Sequence, residues 1–328
     1  DKGDAFFNDV VNAVKRGVQV RLVQQKPSKQ FPDTDSETWE NAGVQVRNID
    51  WAKLTPQHDG ILHTKMIIVD EHDFYLGSAN MAWSALTEVK ELGLVVEDCE
   101  LLARDALKIH EMYWEAAHYS QLPPRWPTKF DTIYNATNPA RVTIGGESVQ
   151  MFLSASPNAF DTPNRAHDGE TIVYNINQAQ QTIDVEVMDY MPFTQFSHPN
   201  FWWPNIDNAL RRAAWRGVKV RLLFGLWEHS APEEIPYWQS LSVLENVEVR
   251  VFRVPALKGS PPIPFTRVNH AKFMITEKIA YVGTSNWDGD YFNSTGGLGW
   301  TITASSVKRD MDNIFQRDWS SVYTFPCC

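Results

Sequence analysis

Two short stretches of the chain carry the same ordered set of a histidine, a lysine and an asparagine. The members of the two sets are His63, Lys65 and Asn80 in the first stretch and His270, Lys272 and Asn286 in the second. In each set the histidine and the lysine are two residues apart, so both point to the same side of an extended strand. One such pair could be a solvated strand end, but its recurrence with the same neighbours favours a shared function.

These residue types fit the cleavage of a phosphodiester. One imidazole can attack phosphorus and form a covalent phosphohistidine, which divides a difficult reaction into two easier steps. A second imidazole can protonate the leaving oxygen and then activate water. Lysine and asparagine side chains supply positive charge and hydrogen-bond donors where negative charge develops. Because the lysines neutralise that charge, we expect neither a metal nor another cofactor.

Further side chains near the two sets are expected to support them. Asp70 and Glu277 follow the lysines at the opposite strand parity, so they should point away from the phosphate and act structurally. Ser78 and Thr284 each lie between a glycine and the asparagine of a set, in the repeated pattern Gly-Ser/Thr-x-Asn. We predict supporting roles for all four residues.

The two sets belong to a longer internal repeat that must position them. Residues 16–23 (RGVQVRLV) match 216–223 (RGVKVRLL), and residues 44–47 (VQVR) match 247–250 (VEVR). Helical periodicity alternating with short apolar strands predicts an α/β fold. We therefore predict two repeated α-β-α sandwich domains related by a pseudo-two-fold axis. The domains span 1–125 and 147–328, and a proline-rich linker, 126–146, joins them.

The second repeat begins with a block of residues that the first repeat lacks. The predicted elements are a helix at 5–16 and a strand at 18–23 in the first repeat, then strands at 148–153, 182–188 and 218–224 and helices at 168–181 and 205–216 in the second. The block 148–188 has no counterpart before residue 5. We therefore expect that the chain begins inside its first domain and that two strands of that sheet are absent or supplied from elsewhere.

The bulk composition narrows the function class. The chain has 328 residues, 43% of them hydrophobic, and a net charge of −10, which argues against a protein that coats nucleic acid with a general basic surface. Three cysteines without paired spacing predict neither a disulfide framework nor a zinc site. No apolar run reaches transmembrane length. Two sequons, at Asn135 and Asn293, permit glycosylation in a secretory compartment.

The doubled His-x-Lys motif, with Asp70 or Glu277 after it, resembles the paired HKD signature of the phospholipase D superfamily. The stretches HTKMIIVD, FYLGSANM, FSHPNFWWP and RVNHAKFMITE are similar to the animal lysosomal branch, phospholipases D three and four. Glu277, where the usual motif has an aspartate, agrees with that branch. The resemblance implies a 5′-exonuclease on single-stranded DNA or RNA, with phospholipid transphosphatidylation as the alternative.

The same resemblance implies a cellular context. Members of the branch are type II membrane or processed soluble glycoproteins of the lysosome and the endoplasmic reticulum–Golgi lumen. It implies a membrane anchor upstream of residue 1 and a disulfide between Cys99 and an upstream cysteine, and it leaves homodimer formation open. A catalytically silent scaffold is a further alternative, although both His-Lys-Asn sets are intact.

The resemblance also suggests individual roles. It implies that His63 attacks and that His270 is the acid and then the base, and the reverse order stays open. Glu91 lies where the superfamily often has an acid that orients the motif histidine, so we expect it to support His63; the alternative is a surface strand residue. The equivalent position in the second repeat is near Gly297, so we expect His270 to lack such support.

Aromatic residues before the second-repeat helix have two interpretations. Phe193, His198, Phe201 and Trp202, together with Phe196, could form a stacking platform for a terminal base. Alternatively, the aromatic rings fill the domain interface and His198 is an ordinary loop histidine. The loop 256–264, rich in proline and glycine, is expected to wall the cleft.

Overall fold

A computed structural model describes residues 2–29, 31–56 and 59–327. The helices predicted at 5–16, 168–181 and 205–216 lie at Lys2–Lys15, Asp168–Gln178 and Asn205–Trp215. In chain order the helices are α1 Lys2–Lys15, α2 Asp35–Ala42, α3 Trp51–Leu54, α4 Trp83–Glu88, α5 Glu100–Ala116, α6 Asp168–Gln178, α7 Asn205–Trp215, α8 Ile235–Ser242, α9 Gly289–Asn293 and α10 Ser305–Trp319. Short 3₁₀ turns lie at Thr128–Phe130, Asn158–Phe160 and Pro232–Glu234.

The strands are short and mostly apolar. They are β1 Arg21–Gln25, β2 Gln45–Ile49, β3 Met66–Val69, β4 Asp73–Gly77, β5 Gly93–Val96, β6 Ala140–Ile144, β7 Glu147–Ser156, β8 Ala166–His167, β9 Thr182–Val187, β10 Lys219–Gly225, β11 Val247–Phe252, β12 Lys272–Thr276, β13 Ala280–Gly283, β14 Gly297–Ile302 and β15 Thr324–Pro326.

The second repeat is built on one large mixed sheet. Within the described residues its strand order is β15-β11-β10-β9-β12-β13-β14-β7-β6, and β8 pairs with β7. Strands β9, β10 and β11 are parallel, whereas β12 runs antiparallel to β9. Helices α6, α7 and α8 bury apolar residues against one face of this sheet, and α10 packs on the other. This layering confirms the predicted α/β sandwich.

The sheet of the first repeat is divided into two pieces. Strands β1 and β2 form a parallel pair, and β3, β4 and β5 form a separate antiparallel sheet. These pieces correspond to β10-β11 and to β12-β13-β14 of the second repeat. There, β9 lies between the two pieces and β7 lies beside β14. The block that sequence comparison found only in the second repeat thus supplies the strands that join its sheet.

The two repeats pack on each other through a common core. Strand β4 contacts β13 and β14, and α5 touches both pieces of the first-repeat sheet and β7. One continuous cluster of buried side chains extends from Trp51 in the first repeat to Trp319 in the second. A large shared core of this kind holds the two repeats in a fixed relation.

Buried ion pairs add contacts between the repeats. Lys90, from the first repeat, contacts the carboxylates of Glu186 on β9 and Asp318 on α10, the latter at 3.0 Å. On another side of the molecule, Arg165 binds Asp105 at 2.6 Å, with side chains 2% and 1% exposed. Charged groups this deeply buried are stable only as a paired set.

Three further sequence predictions concern the domain boundaries, the disulfide of Cys99 and membrane-spanning segments. The division into domains 1–125 and 147–328 stays a prediction, and the segment 126–146 contains β6, which pairs with β7. Cys99 is half-buried at the start of α5 and forms no disulfide within the described residues. Among those residues, no helix is long and apolar enough to cross a membrane.

Candidate active site

The two motif histidines meet in one cleft between the repeats. The backbone N–H of His63 donates to the carbonyl of Gly296 at 2.8 Å, and that of His270 donates to the carbonyl of Lys90, also at 2.8 Å. Each histidine segment is therefore held by the other repeat. The two imidazole centroids are 6.4 Å apart, with an angle of 75° between the rings. A single phosphate group fits between two rings at this separation.

A carboxylate from the first repeat supports the histidine of the second. Nδ1 of His270 lies 2.9 Å from both Oε1 and Oε2 of Glu91, and both side chains are 12% exposed. The Ser78 hydroxyl donates to Oε2 of Glu91 at 2.6 Å, so the carboxylate is itself held in place. The expectation that Glu91 supports His63, and that His270 lacks an acid, is therefore wrong.

The error has a geometric cause. The prediction paired each histidine with an acid from its own repeat, but a pseudo-two-fold axis brings the β5 end of one repeat to the histidine of the other. The position equivalent to Glu91 is Gly297, where a Cβ atom would lie 2.2 Å from the Ser285 hydroxyl oxygen. No side chain fits there without displacement of Ser285, and Nδ1 of His63 has no hydrogen-bond partner.

Both lysines are buried beside their histidines. Lys65 Nζ donates to the His63 carbonyl at 2.6 Å, and Lys272 Nζ donates to the His270 carbonyl at 2.5 Å. Burial, followed by the charge of Lys272, lowers the pKa of Lys65 well below its usual range. Burial lowers the pKa of Lys272 to about 7, against the opposing effect of Glu91 and Asp189. The repulsion between two cations confined this closely is reduced when an anion binds between them.

The same environment keeps the histidines neutral. Burial, then the charges of Lys272 and Lys65, lowers the pKa of His270 to about 4, although Glu91 opposes the shift. Burial and the two lysines lower the pKa of His63 well below its usual value. Burial acts to raise the pKa of Glu91, but His270, Lys272 and Ser78 outweigh it and hold that pKa below the usual range. An ionised Glu91 therefore accepts a hydrogen bond from the Nδ1–H of neutral His270, whose Nε2 lone pair stays available.

The two asparagines differ in environment. Asn80 is exposed, whereas Asn286 is 4% exposed. The Nδ2 of Asn286 donates to Asp189 Oδ2 at 2.7 Å and lies 3.4 Å from the Tyr291 hydroxyl. Its Oδ1 has no partner. The predicted role as a phosphate donor thus fits Asn80 more directly, because the amide hydrogens of Asn286 are already used.

Two residues of the site were not predicted from the sequence. The Tyr291 ring packs edge-on against His63, with centroids 5.2 Å apart. Asp189 follows β9 and binds Asn286, and burial raises its pKa to about 6 although Lys272 opposes the shift. The first-repeat position equivalent to Tyr291 is Ala85, and the block containing Asp189 has no counterpart there, so the repeat gave no signal for either residue.

The remaining supporting residues lie where their parity predicts. Asp70 is exposed in the turn after β3. The Glu277 carboxylate accepts hydrogen bonds from the backbone N–H groups of Gln180, Gln181 and Thr182, which ties the α6–β9 connection to β12. Thr284 Oγ1 accepts from the Leu298 N–H at 3.0 Å. Asp70 and Glu277 are thus outside the cleft, and Thr284 braces the strand pair beneath it.

The predicted aromatic platform is only partly assembled. Phe193 and Trp202 pack around Tyr237, with centroid distances of 5.4 and 5.7 Å. Trp202 is 57% and Phe201 44% exposed, so these rings do not fill the domain interface. His198 is exposed. The loop joins the cleft through Ser197, whose hydroxyl contacts Asp290 in α9. Base stacking by these residues stays a prediction.

The structure also shows where the two sequons and the loop 256–264 lie. Asn135 lies in a surface turn that its side chain braces by accepting from the Thr137 N–H. The Asn293 amide donates to Gly289 within α9, and Thr295 of that sequon is buried. The loop 256–264 lines a cavity of about 930 Å³ that none of the six predicted catalytic residues borders. Within the described ranges, no group of three or more His, Cys, Asp or Glu side chains is arranged to hold a metal.

Comparisons with known proteins agree with this geometry. The family described as "PLD3/4, PLD-like domain" matches residues 1–256. Phospholipase D Y of Dictyostelium discoideum is 43% identical over 346 residues, covering 99% of this chain and 78% of the relative. The human 5′-3′ exonuclease PLD3 is 40% identical over 334 residues, covering 98% and 68%.

A solved structure supports the fold over the full length. Phosphatidylserine synthase of Haemophilus influenzae Rd KW20 superposes with a TM-score of 0.60 at 11% identity, covering 99% of this chain and 86% of that one. At this identity the likeness concerns the fold alone. Together with the sequence relatives, it shows that the chain belongs to the phospholipase D superfamily, within the family of PLD3 and PLD4.

Proposed function

We propose that this phosphodiesterase of the phospholipase D superfamily works through a covalent phosphohistidine on His270. The observation that carries the proposal is the pair of imidazoles 6.4 Å apart, of which only His270 has a carboxylate on Nδ1. The carboxylate fixes the tautomer that leaves the Nε2 lone pair facing the cleft, and it stabilises the positive charge that the ring acquires on phosphorylation. The reverse assignment, with His63 as the nucleophile, keeps its support from the family resemblance but loses the support of Glu91, which pairs with His270.

The two steps balance in protons and bonds. In the first, His270 Nε2 forms a bond to phosphorus, the bond from phosphorus to the leaving oxygen breaks, and protonated His63 gives its proton to that oxygen. In the second, neutral His63 takes a proton from water, and the hydroxide attacks phosphorus and breaks the N–P bond. His63 is then protonated again, and His270 is free.

The lysines stabilise the phosphoryl charge. Lys65 and Lys272 are 6% and 0% exposed, so water screens them weakly and their charges act strongly on a phosphate between the rings. Binding of the anionic substrate offsets the repulsion that lowers the pKa of both histidines, and it thereby allows His63 to carry the proton it must donate. Because the lysines provide the charge, the proposed reaction continues in the presence of a chelator.

For the substrate we propose single-stranded DNA or RNA, cleaved from the 5′ end in an acidic lumen. The support is the 40% identity to a relative named as a 5′-3′ exonuclease, together with exposed aromatic rings beside the cleft that can stack on bases. Phospholipid is the second candidate, because two Dictyostelium relatives at 43% and 44% identity are named phospholipase D. A silent scaffold is the least supported alternative, since both sets of residues converge.

The test is an assay of the full-length protein at pH 5 with EDTA on two substrates in parallel. One is a 5′-hydroxyl single-stranded oligonucleotide, and the other is a phosphatidylcholine vesicle with ethanol present. We expect stepwise nucleotide release and little phosphatidylethanol. Lipid turnover without nucleotide release would replace the nuclease with the phospholipase, and inactivity on both would favour the scaffold.

Matched histidine variants complete the test. His63→Ala and His270→Ala should each abolish turnover, whereas His72→Ala changes an imidazole that is 53% exposed and lies outside the cleft, so it should retain activity. Full activity of either cleft variant would contradict the mechanism whatever the substrate.

A further inference from the structure

A second group of aromatic rings, distinct from the loop around Tyr237, lies on the protein surface. Phe265 is its centre: its ring centroid is 5.9 Å from Phe31, 5.0 Å from His229 and 6.4 Å from Trp227. The His229 and Phe265 rings are stacked, with an angle of 29° between their planes. These four residues, called the aromatic cluster below, have no role in the mechanism described above.

The aromatic cluster is at the same edge of the fold as the cleft. Phe31 follows β1 in the first repeat, Trp227 and His229 follow β10, and Phe265 lies in the connection from β11 to β12. The carboxyl ends of β10 and β11 face the edge where β12 begins with Lys272, which pairs with Val187 at the end of β9, and Phe31 joins this edge through its contact with Phe265. The cluster therefore bridges loops of both repeats at the substrate side.

A short chain of contacts connects the aromatic cluster to the site. The buried indole nitrogen of Trp227 lies close enough to Asp189 to lower the pKa of that carboxyl, but it makes no hydrogen bond within the described residues. Asp189 in turn accepts the hydrogen bond from Asn286 at 2.7 Å. Phe265 lies five residues before His270 in the chain, so the segment that carries the cluster continues into the site.

The two phenylalanines are presented to solvent, not buried. Phe31 is 58% and Phe265 52% exposed. Phe265 has a backbone φ of 57°, as does Arg267, a conformation that is unfavourable for residues other than glycine.

The loops that carry these phenylalanines are locally basic in an acidic protein. The connection 253–267 contains Arg253, Lys258 and Arg267 and no carboxylate, and residues 26–32 contain Lys26 and Lys29 and no carboxylate, whereas the whole chain has a net charge of −10. Arg267 approaches Glu88 at 3.6 Å and Lys26 approaches Asp50 at 3.3 Å. Within the part of the chain that the structure describes, Lys29, Arg253 and Lys258 contact no carboxylate. Cations next to exposed rings match a chain of phosphates and bases.

We infer that the aromatic cluster is a stacking platform for bases of a single strand whose phosphate occupies the cleft, with the cations of the two loops holding the flanking phosphates. The inference rests on the proposed nucleic-acid substrate and assigns it a binding surface. An anionic membrane would also be attracted by the cations. Nucleic acid is favoured because Phe265 lies on the segment that leads into His270, and because stacked rings suit flat bases.

The test compares binding and cleavage in the double variant Phe31→Ala/Phe265→Ala of the full-length protein. Binding of a fluorescent twelve-nucleotide strand is measured by anisotropy with His270→Ala added, so that the strand is not consumed. We expect Kd to rise at least about 5-fold and up to roughly 150-fold for each ring that is lost, since stacking on one ring contributes about 1–3 kcal/mol per base. Cleavage of a nitrophenyl ester of a mononucleotide, which is too short to reach the platform, should stay unchanged.

Two controls separate the outcomes. Trp215→Ala removes a ring that is 85% exposed at the end of α7, on the opposite edge of the sheet, and should change neither binding nor cleavage. Phe265→Trp should restore most of the binding, which a merely structural role would not predict. Unchanged strand binding in the double variant would overturn the platform, and loss of binding to anionic vesicles alone would assign the surface to a membrane. If the parent protein binds the strand but does not cleave it, the proposed nuclease fails while the platform stands.

Discussion

Glu91 in the first repeat and His270 in the second form one hydrogen-bonded pair, with both carboxylate oxygens 2.9 Å from the imidazole Nδ1. The acid and the histidine that it orients are therefore contributed by different halves of the chain. His63 has no equivalent carboxylate, because the position that corresponds to Glu91 in the second repeat is Gly297. The site is thus built as a pseudo-symmetric pair but is asymmetric in its charges.

Replacement of Glu91 should reduce turnover more than binding. In Glu91→Gln the tautomer of His270 is no longer fixed and the charged ring is not stabilised, so we expect kcat to fall roughly 10²- to 10⁴-fold. The acidic limb of the pH profile should also move to lower pH, since Glu91 raises the pKa of His270. Steady-state kinetics from pH 3.5 to 8 provide the measurement. Glu97→Gln, an exposed change just after β5, should behave as the parent; equal losses in both variants would contradict the role of Glu91.

The assignment of the nucleophile can be tested by trapping. In His63→Ala, a phosphodiester with a nitrophenol leaving group does not need a proton donor, so phosphorylation of His270 should proceed while its hydrolysis is slow. We expect a burst of one nitrophenol per protein chain and a phosphorylated peptide that contains His270. His270→Ala should show neither. A burst from His270→Ala with label on His63 would reverse the roles.

The pH dependence of kcat/KM should be bell-shaped with an acidic optimum. His270 must be neutral to attack, and burial places its pKa at about 4, so activity rises as pH increases through that value. Lys272 must be charged, and burial places its pKa at about 7, so activity falls as pH increases beyond it. Proton donation by His63, whose pKa is also lowered, adds to the fall. A rate that continued to increase above pH 8 would contradict these protonation states.

Lys90 should be essential for stability because it compensates two buried carboxylates. In Lys90→Met the charges of Glu186 and Asp318 lose their shared cation, and we expect the free energy of unfolding to fall by about 3–5 kcal/mol. Urea unfolding measured by tryptophan fluorescence checks this value. Lys53→Met breaks a pair with Asp50 in which the lysine side chain is 71% exposed, so it should cost less than about 1 kcal/mol. Similar losses in the two variants would argue that Lys90 is not compensating buried charge.

Glu234 should make the protein more stable in acid than at neutral pH. Burial, then the charges of Asp189 and Asp288, raises its pKa to about 9 in the folded state, above its ordinary value in an unfolded chain. The folded state therefore binds the extra proton between these two values, and stability decreases as pH rises through that range. Glu234→Gln should reduce the decline of Tm between pH 4.5 and pH 8, while the loss of one oxygen that accepts from the Tyr190 or Ala231 N–H lowers Tm at both pH values. The adjacent, exposed Glu233→Gln should leave the difference between the two pH values unaltered.

Most of the fold could be predicted because the same sequence pattern occurs in both repeats. The predicted helix 205–216 and strand 218–224 are Asn205–Trp215 and Lys219–Gly225, and the unmatched block 148–188 became β7, α6 and β9. Alternation of apolar residues is a local property, so it identifies these elements without knowledge of their neighbours. Strand β1 begins three residues later than predicted, at Arg21, although the Val20 carbonyl already accepts from the N–H of Gln45 in β2.

The pairing within the site was harder to predict because it is not local. The sequence places Glu91 and His63 in one repeat, and only the packing of the repeats shows that Glu91 faces His270. Tyr291 and Asp189 were missed for a related reason, since neither has a counterpart in the first repeat. The exposure of Asn80 and the burial of Asn286 likewise depend on surrounding elements and not on the motif, which is the same for both.

For the proposed nucleic-acid substrate, the glycine at position 297 has a consequence for the direction of digestion. A site with two equivalent histidines could accept a phosphodiester in either of two orientations, and either ester oxygen could then leave. With a carboxylate behind His270 alone, only one orientation places the supported imidazole opposite the oxygen that departs. The polarity of digestion along a nucleic acid would then be set by the absence of one side chain, before any contact with the bases is considered.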